Sequence, residues 1–143
     1  MTVPDTAVVD ASVGIKLFLE EDGSREAEAL FVSLGADSRR TLVVPDLFFV
    51  ECANVFRSRV HRKLMPTEGA RDAFGILRSI PLKSVASGDL AAAALDLALD
   101  VGISVYDGVY AALARALVAP LVTADARLLA ALREAGVAAL PLA

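Results

Sequence analysis

Short apolar runs rich in β-branched residues alternate along the whole chain with stretches whose apolar residues recur at helical spacing. That alternation points to an α/β domain with a mostly parallel sheet, because parallel neighbours need a crossover and a helix is the usual one. Strands are expected over residues 6–9, 41–44, 82–85, 103–105, 121–123 and 137–140. Helices are expected over 13–19, 24–34, 46–63, 67–80, 87–101, 107–117 and 126–134. Ser24 starts the second helix with Glu26 and Glu28 near its positive end, and Gly35 stops it. Asp46 and Thr67 are suited to cap the next two, Pro81 blocks continuation, and Gly102 and Gly136 mark later stops.

At 143 residues the chain fits one domain, residues 1–143. Hydrophobic residues make up 56%, and the mean hydropathy of +0.58 exceeds what a soluble domain of this size needs, so a buried subunit interface is expected. The longest charge-free runs, 116–124 and 135–143, fall far short of the roughly 20 apolar residues that cross a bilayer, which excludes a membrane-spanning protein. The first aspartate comes at Asp5, without the basic and long apolar regions of a signal peptide, so a cytoplasmic protein is expected. One cysteine, Cys52, cannot form an internal disulfide, and one histidine, His61, cannot supply a Cys/His zinc cage. Any metal must be held by oxygen.

A net charge of -4 argues mildly against a nucleic-acid partner. Locally, however, residues 57–63 read RSRVHRK, with Arg57, Arg59, Arg62 and Lys63 and no acid among them. Two readings stay open: a surface for RNA, or a solvated helix end whose cations favour the negative pole of the dipole.

Three aspartates, Asp10, Asp107 and Asp125, each stand where an expected strand hands over to an expected helix. In open parallel sheets the carboxyl ends of the strands form the crevice where ligands bind, so acids at equivalent strand ends converge. Glu51 lies within an expected helix between Phe48, Phe49, Val50, Cys52, Ala53 and Val55, surroundings too apolar for an ordinary surface glutamate. Singly, each aspartate reads as a helix N-cap and Glu51 as the partner of a buried arginine. Jointly, carboxylates packed about 4 Å apart repel by roughly 4 kcal/mol per pair at an effective dielectric near 20, so something positive should bind among them. With oxygen ligands only, Mg2+ fits, and Mn2+ can replace it. Such ions promote phosphodiester hydrolysis. Ser12 and Thr123, each two residues from an aspartate, and Asn54, at i+3 from Glu51, are either supporting polar groups or ordinary turn and helix polar groups.

The segments VVDASV around Asp10, VECANVF around Glu51, VYDGVYAALA around Asp107 and LVTADARL around Asp125 resemble, in that order and nearly end to end, the PIN-domain nucleases, specifically the VapC-type toxins of toxin–antitoxin pairs. The resemblance implies a doubly wound three-layer α/β/α sandwich and Mg2+-dependent endoribonuclease activity. It also implies a homodimer and a cognate antitoxin whose C-terminal segment covers the site. It carries over to Asp10, Glu51, Asp107 and Asp125 as metal-coordinating acids and to Ser12, Asn54 and Thr123 as supporting groups. His61 lies outside every acidic motif, and no histidine base is required. Gly108 replaces the alanine more usual after the third acid, which could loosen the start of that helix. Competing readings keep the site but take structured DNA as substrate, make it a phosphorylatable receiver, or leave it a silent antitoxin-binding scaffold. The receiver is disfavoured because no lysine follows Lys83.

Overall fold

In the computed structural model, residues 2–142 are described. They form five strands in one sheet of order β3-β2-β1-β4-β5, every neighbouring pair parallel. The strands are β1 (Thr6–Val9), β2 (Thr41–Pro45), β3 (Lys83–Val85), β4 (Leu121–Thr123) and β5 (Ala139–Pro141). The α-helices are α1 (Ala11–Gly14), α2 (Ser24–Ala36), α3 (Leu47–His61), α4 (Thr67–Ser79), α5 (Ala91–Val101), α6 (Val105–Leu117) and α7 (Ala126–Glu134). Strand order runs outward from β1 to β3 and then returns to β4 on the other side of β1. With right-handed crossovers, this places α1 to α4 on one face and α5 to α7 on the other, giving the expected α/β/α sandwich.

The middle of the sheet is covered on both faces, and its strands read as continuous apolar runs for that reason. Ala7, Val8 and Val9 of β1, Leu42 and Val44 of β2, and Leu121 and Val122 of β4 have no exposed surface. The switch point lies between β1 and β4, where Val8 pairs with Leu121 and Val9 with Val122. Their carboxyl ends lead directly to Asp10 and to Asp125.

Helix α6 is buried over every residue from Gly108 to Ala114, so it serves as a core helix rather than an amphipathic cover. It packs on α5 and against β1, β2 and β4. Gly108 is what permits the close approach to α5: a Cβ there would stand 2.6 Å from the Ala94 carbonyl oxygen. The glycine therefore tightens the α5–α6 contact instead of loosening the helix start.

Several expected boundaries move, each for a local reason. Residues 103–105 form no strand. Gly102, at φ 81°, ends α5, and Ser104 caps α6 at once by accepting from the Asp107 amide at 3.1 Å. The first helical segment is one α turn followed by a 3-10 turn over Ile15–Phe18, with Gly14 pressed against the Phe48 ring. Gly35 lies inside α2, which continues to Ala36. Gly23, at φ 90°, occupies the cap of α2, and Ser24 instead donates to the Leu19 carbonyl at 2.6 Å. Thr67 is the first residue of α4 rather than its cap. Asp46 stands at the N-cap of α3 as expected, but its side chain makes no cap bond within the helix: its carboxylate accepts from Ser87 Oγ at 2.6 Å, and Ser87 Oγ in turn accepts from the Leu47 amide at 3.0 Å.

Two of the helical glycines, Gly35 and Gly108, make a paired test of the packing. An exposed helical glycine gains about 1 kcal/mol on replacement by alanine, whereas overfilling a tight contact costs about 1–3 kcal/mol. Gly35, with no atom within 4 Å of a built Cβ, should follow the first rule, and Gly108 the second. Urea denaturation should show Gly35→Ala more stable and Gly108→Ala less stable than the parent chain.

Candidate functional site

The four acids arrive from four different elements. Asp10 follows β1, Asp125 follows β4, Asp107 sits in the first turn of α6, and Glu51 lies in the second turn of α3. Glu51 belongs to one helical layer and Asp107 to the other, so the cluster closes across the carboxyl edge of the sheet. The strand-to-helix reading holds for Asp10 and Asp125. Asp107 reaches the same place from a helix that follows a tight turn.

Asp10 is the most enclosed of the four, 5% exposed. Ser12 Oγ donates to its Oδ1 at 2.5 Å, Thr123 Oγ1 donates to its Oδ2 at 2.5 Å, and the Val13 amide donates to Oδ1 at 3.3 Å. Ser12 Oγ also accepts from the Ala124 amide at 3.0 Å, and Thr123 Oγ1 accepts from the Asp125 amide at 3.0 Å. Ser12 and Thr123 are thus built into the site, tying the end of β1 to the end of β4. Asn54 is exposed on α3 and has no hydrogen bond to the acids, so the structure does not bring it into the group.

Asp10 and Asp125 do serve as N-caps. The amides of Arg127 and Leu128 donate to Asp125 Oδ1 at 3.0 and 3.1 Å. Capping does not account for Asp107, whose own amide is capped by Ser104, or for Glu51. The carboxylate of Glu51 accepts a hydrogen bond at 2.5 Å from the hydroxyl of Tyr110, a side chain only 1% exposed. Burial and the neighbouring Glu51 carboxylate hold the Tyr110 phenol well above its ordinary range, so it remains a donor. Neither Tyr110 nor Ser104 is singled out by the sequence motifs. Tyr110 does lie at i+3 from Asp107, the spacing of neighbours on one helix face.

Electrostatically the acids form one group. Burial pushes Asp10 up to about 6 against the lowering effect of Ser12 and Thr123, and the charge on Asp107 adds to the rise. Burial raises Glu51, with Asp107 contributing, and burial raises Asp107, with Asp125 contributing. Next to Glu51 in the chain, Cys52 is pushed up to about 12, chiefly by burial, and is an inert apolar filler. Among the described residues no lysine, arginine or histidine forms an ion pair with any of the four acids. Lys16 lines a cleft of about 380 Å³ beside Thr123 and Asp125, but its Nζ donates to Glu21 Oε1 at 2.9 Å and to the Asp22 carbonyl at 2.7 Å. Among the described residues no group of three or more His, Cys, Asp or Glu side chains is placed so that it could itself hold a metal ion.

The basic segment lies away from the acids, at the far end of α3. Arg59 faces Glu21 at 3.8 Å. Arg57, His61 and Lys63 line a cleft of about 540 Å³ between α3 and α4, with Arg71 on the α4 side and Phe56, Val60 and Phe74 among its apolar lining. Arg62 is exposed outside that cleft.

The family profile described as PIN domain matches residues 7–134, a span that contains all four acids. The chain belongs to the PIN domain family. No curated protein matches it in sequence. Among solved structures, this PIN domain is similar to PAE2754 from Pyrobaculum aerophilum, at 21% identity and TM-score 0.72 over 96% of this chain and 83% of the other. It is similar to VapBC2 from Rickettsia felis, solved bound to a DNA fragment from their promoter, at 12% identity and TM-score 0.68 over 95% and 98% of the two chains. A third likeness is to VapC20 of Mycobacterium tuberculosis, a sarcin-ricin loop cleaving toxin, at 17% identity and TM-score 0.66 over 92% and 95%. At these identities the likeness is one of fold.

The buried acid of this PIN domain gives a pH test. The folded chain holds a proton on Asp10 more tightly than the unfolded chain, so the contribution of Asp10 to stability is full below about pH 4 and is lost as pH rises through about 6. Raised Glu51 and Asp107 act in the same direction. For Asp10 the full effect is about 3 kcal/mol. In EDTA, Asp10→Asn should therefore be the more stable chain at pH 7.5, and the gap should close at pH 4, as read by urea denaturation.

Proposed function

We propose that this PIN domain is a Mg2+-dependent endoribonuclease of the VapC type, the toxin of a toxin–antitoxin pair acting in the cytoplasm. The observation that carries this reading is the placement of Asp10, Glu51, Asp107 and Asp125 along the carboxyl edge of the sheet, where the charge on Asp107 raises Asp10 and Glu51 and that on Asp125 raises Asp107, with no protein cation paired to any of the four among the described residues. An oxygen-only donor set with this much negative charge suits Mg2+, or Mn2+ in its place. Such an ion keeps several waters, which can bridge it to carboxylates that do not touch it, so the four acids need not close around it. When bound, the ion supplies positive charge at a phosphodiester and lowers the pKa of a water.

The chain's own residues do the holding. Asp10, Glu51 and Asp107 are assigned to the primary ion, and Asp125 completes the set directly or through water. Ser12 of α1 and Thr123 of β4 fix the two oxygens of Asp10, so its orientation does not depend on the ion. His61 lines the cleft between α3 and α4, which accords with a reaction that uses no histidine base. In this reading Arg57, Arg59, Arg62 and Lys63 serve RNA contact, and the antitoxin covers the acids with its C-terminal segment. A homodimer is supported by Leu95 and Leu99, one turn apart on α5 and 49% and 75% exposed. A monomer at micromolar concentration in light scattering would count against it.

Cleavage of a mixed set of structured and unstructured RNAs in Mg2+ or Mn2+ tests the reading. Asp10→Asn, Glu51→Gln and Asp107→Asn should each cut at least 100-fold more slowly, the size of effect expected when an electrostatic group of the reaction is removed, and EDTA should abolish cutting. Cutting of flap DNA but not RNA would move the substrate to structured DNA. Ion binding with no cutting of either would leave a silent antitoxin-binding scaffold.

A further inference from the structure

The hydrogen bond from Tyr110 to Glu51 is the one direct polar link between the two helical layers at the candidate site among the described residues. Glu51 projects from α3 in one layer, and Tyr110 and Asp107 project from α6 in the other. The carboxylate of Glu51 is half-buried, accepts no other hydrogen bond and pairs with no cation among the described residues. A glutamate side chain has three rotatable bonds, and an untethered one loses rotamer freedom when it is fixed on an ion. Here the tether already exists. Tyr110 is 1% exposed, held by the all-buried stretch of α6, and its ring has no room to swing away.

The bond also divides the labour between the two carboxylate oxygens. Oε1 is engaged by the phenol, which leaves Oε2 without a protein donor. Because Tyr110 and Asp107 share one helix face, the tether fixes Glu51 relative to Asp107, the acid whose charge it feels. Ligating carboxylates elsewhere are held in this way by a hydrogen-bonding neighbour, and loss of that neighbour weakens the ion by about 10- to 100-fold.

We infer that Tyr110 is a positioning residue: it holds Glu51 by Oε1 so that Oε2 is presented, beside Asp107, to the divalent cation. The inference rests on the metal-site reading given above. It assigns Tyr110 no contact with the substrate or the reacting atoms. A phenylalanine at this position keeps the buried ring and removes only the donor.

The test is Mn2+ binding to the purified chain by titration calorimetry in a double-mutant cycle, with Tyr110→Phe, Glu51→Gln and the pair. The expected result is that Tyr110→Phe weakens Mn2+ by about tenfold while far-ultraviolet circular dichroism stays that of the parent chain. In the Glu51→Gln background the same substitution should change nothing further, because its effect passes through Glu51. RNA cleavage at saturating Mn2+ should recover toward the parental kcat with KM for RNA unchanged. Unchanged Mn2+ affinity in Tyr110→Phe overturns the inference alone. So does an equal loss in both backgrounds, which would mean a general loosening of α6. If the parent chain binds no Mn2+, or Glu51→Gln binds as tightly as the parent, the metal-site reading itself falls.

Discussion

Everything at the candidate site hangs from one pairing, that of β1 with β4 across the switch point. The two strands come from distant parts of the sequence and run parallel, so their carboxyl ends and the residues after them are placed side by side. The hydroxyls of Ser12 and Thr123 then close the gap from opposite sides onto a single carboxylate. Three donors to one buried aspartate offset much of the penalty of removing its charge from water, yet Asp10 remains raised to about 6. Good hydrogen bonding thus leaves a residual cost that only positive charge can remove.

The second constraint is the depth at which α6 sits. A helix buried all round through its middle must pass close to its neighbour, and Gly108 meets the Ala94 carbonyl where a side chain would not fit. That contact sets the height of the first turn, and with it Asp107 and Tyr110. On the opposite face, Phe48 lies over Gly14, so α3 is seated against the turn that follows Asp10. Two glycines, one on each side of the sheet, therefore bring the two layers near enough for a phenol and a carboxylate to touch. The geometry of the acids depends on backbone packing some distance from any charge.

Much of this was legible in the residues. The strands at 6–9 and 121–123 and the helix at 126–134 have the expected bounds, because strong apolar runs and aspartate caps coincide there. Asp10, Ser12, Thr123 and Asp125 could be placed together by the rule for strand ends, and they are. Asp107 was located for a partly mistaken reason. The stretch Ile103 to Val105 resembles a short strand, but β4 already occupies that side of β1, and Ser104 starts the helix at once. Asn54 was drawn in by helical spacing from Glu51, yet that spacing does not specify which of two neighbours turns inward, and Asn54 faces out. Tyr110 was passed over because an aromatic residue in an apolar helix ordinarily signals core. Its ring is indeed core, and only its hydroxyl reaches Glu51. Gly108 read as a weakness for a related cause: the need for a glycine lay in the Ala94 carbonyl of another helix, which no local pattern reports.

The hydroxyls around Asp10 also fix the order of the protons. Each hydroxyl has one hydrogen, and both are given to the ionised carboxylate, so Ser12 and Thr123 can only accept from the amides of Ala124 and Asp125. Their mutual contact of 3.4 Å then holds no hydrogen and is two lone pairs face to face. A proton arriving on Oδ2 would point at Thr123, whose own hydrogen would have to turn away, and the Ser12 oxygen is the acceptor in its path. Neutralising Asp10 thus reverses one rotor and turns a repulsive contact into a bond. The charge state of one buried acid is written in the direction of a hydroxyl on the neighbouring strand.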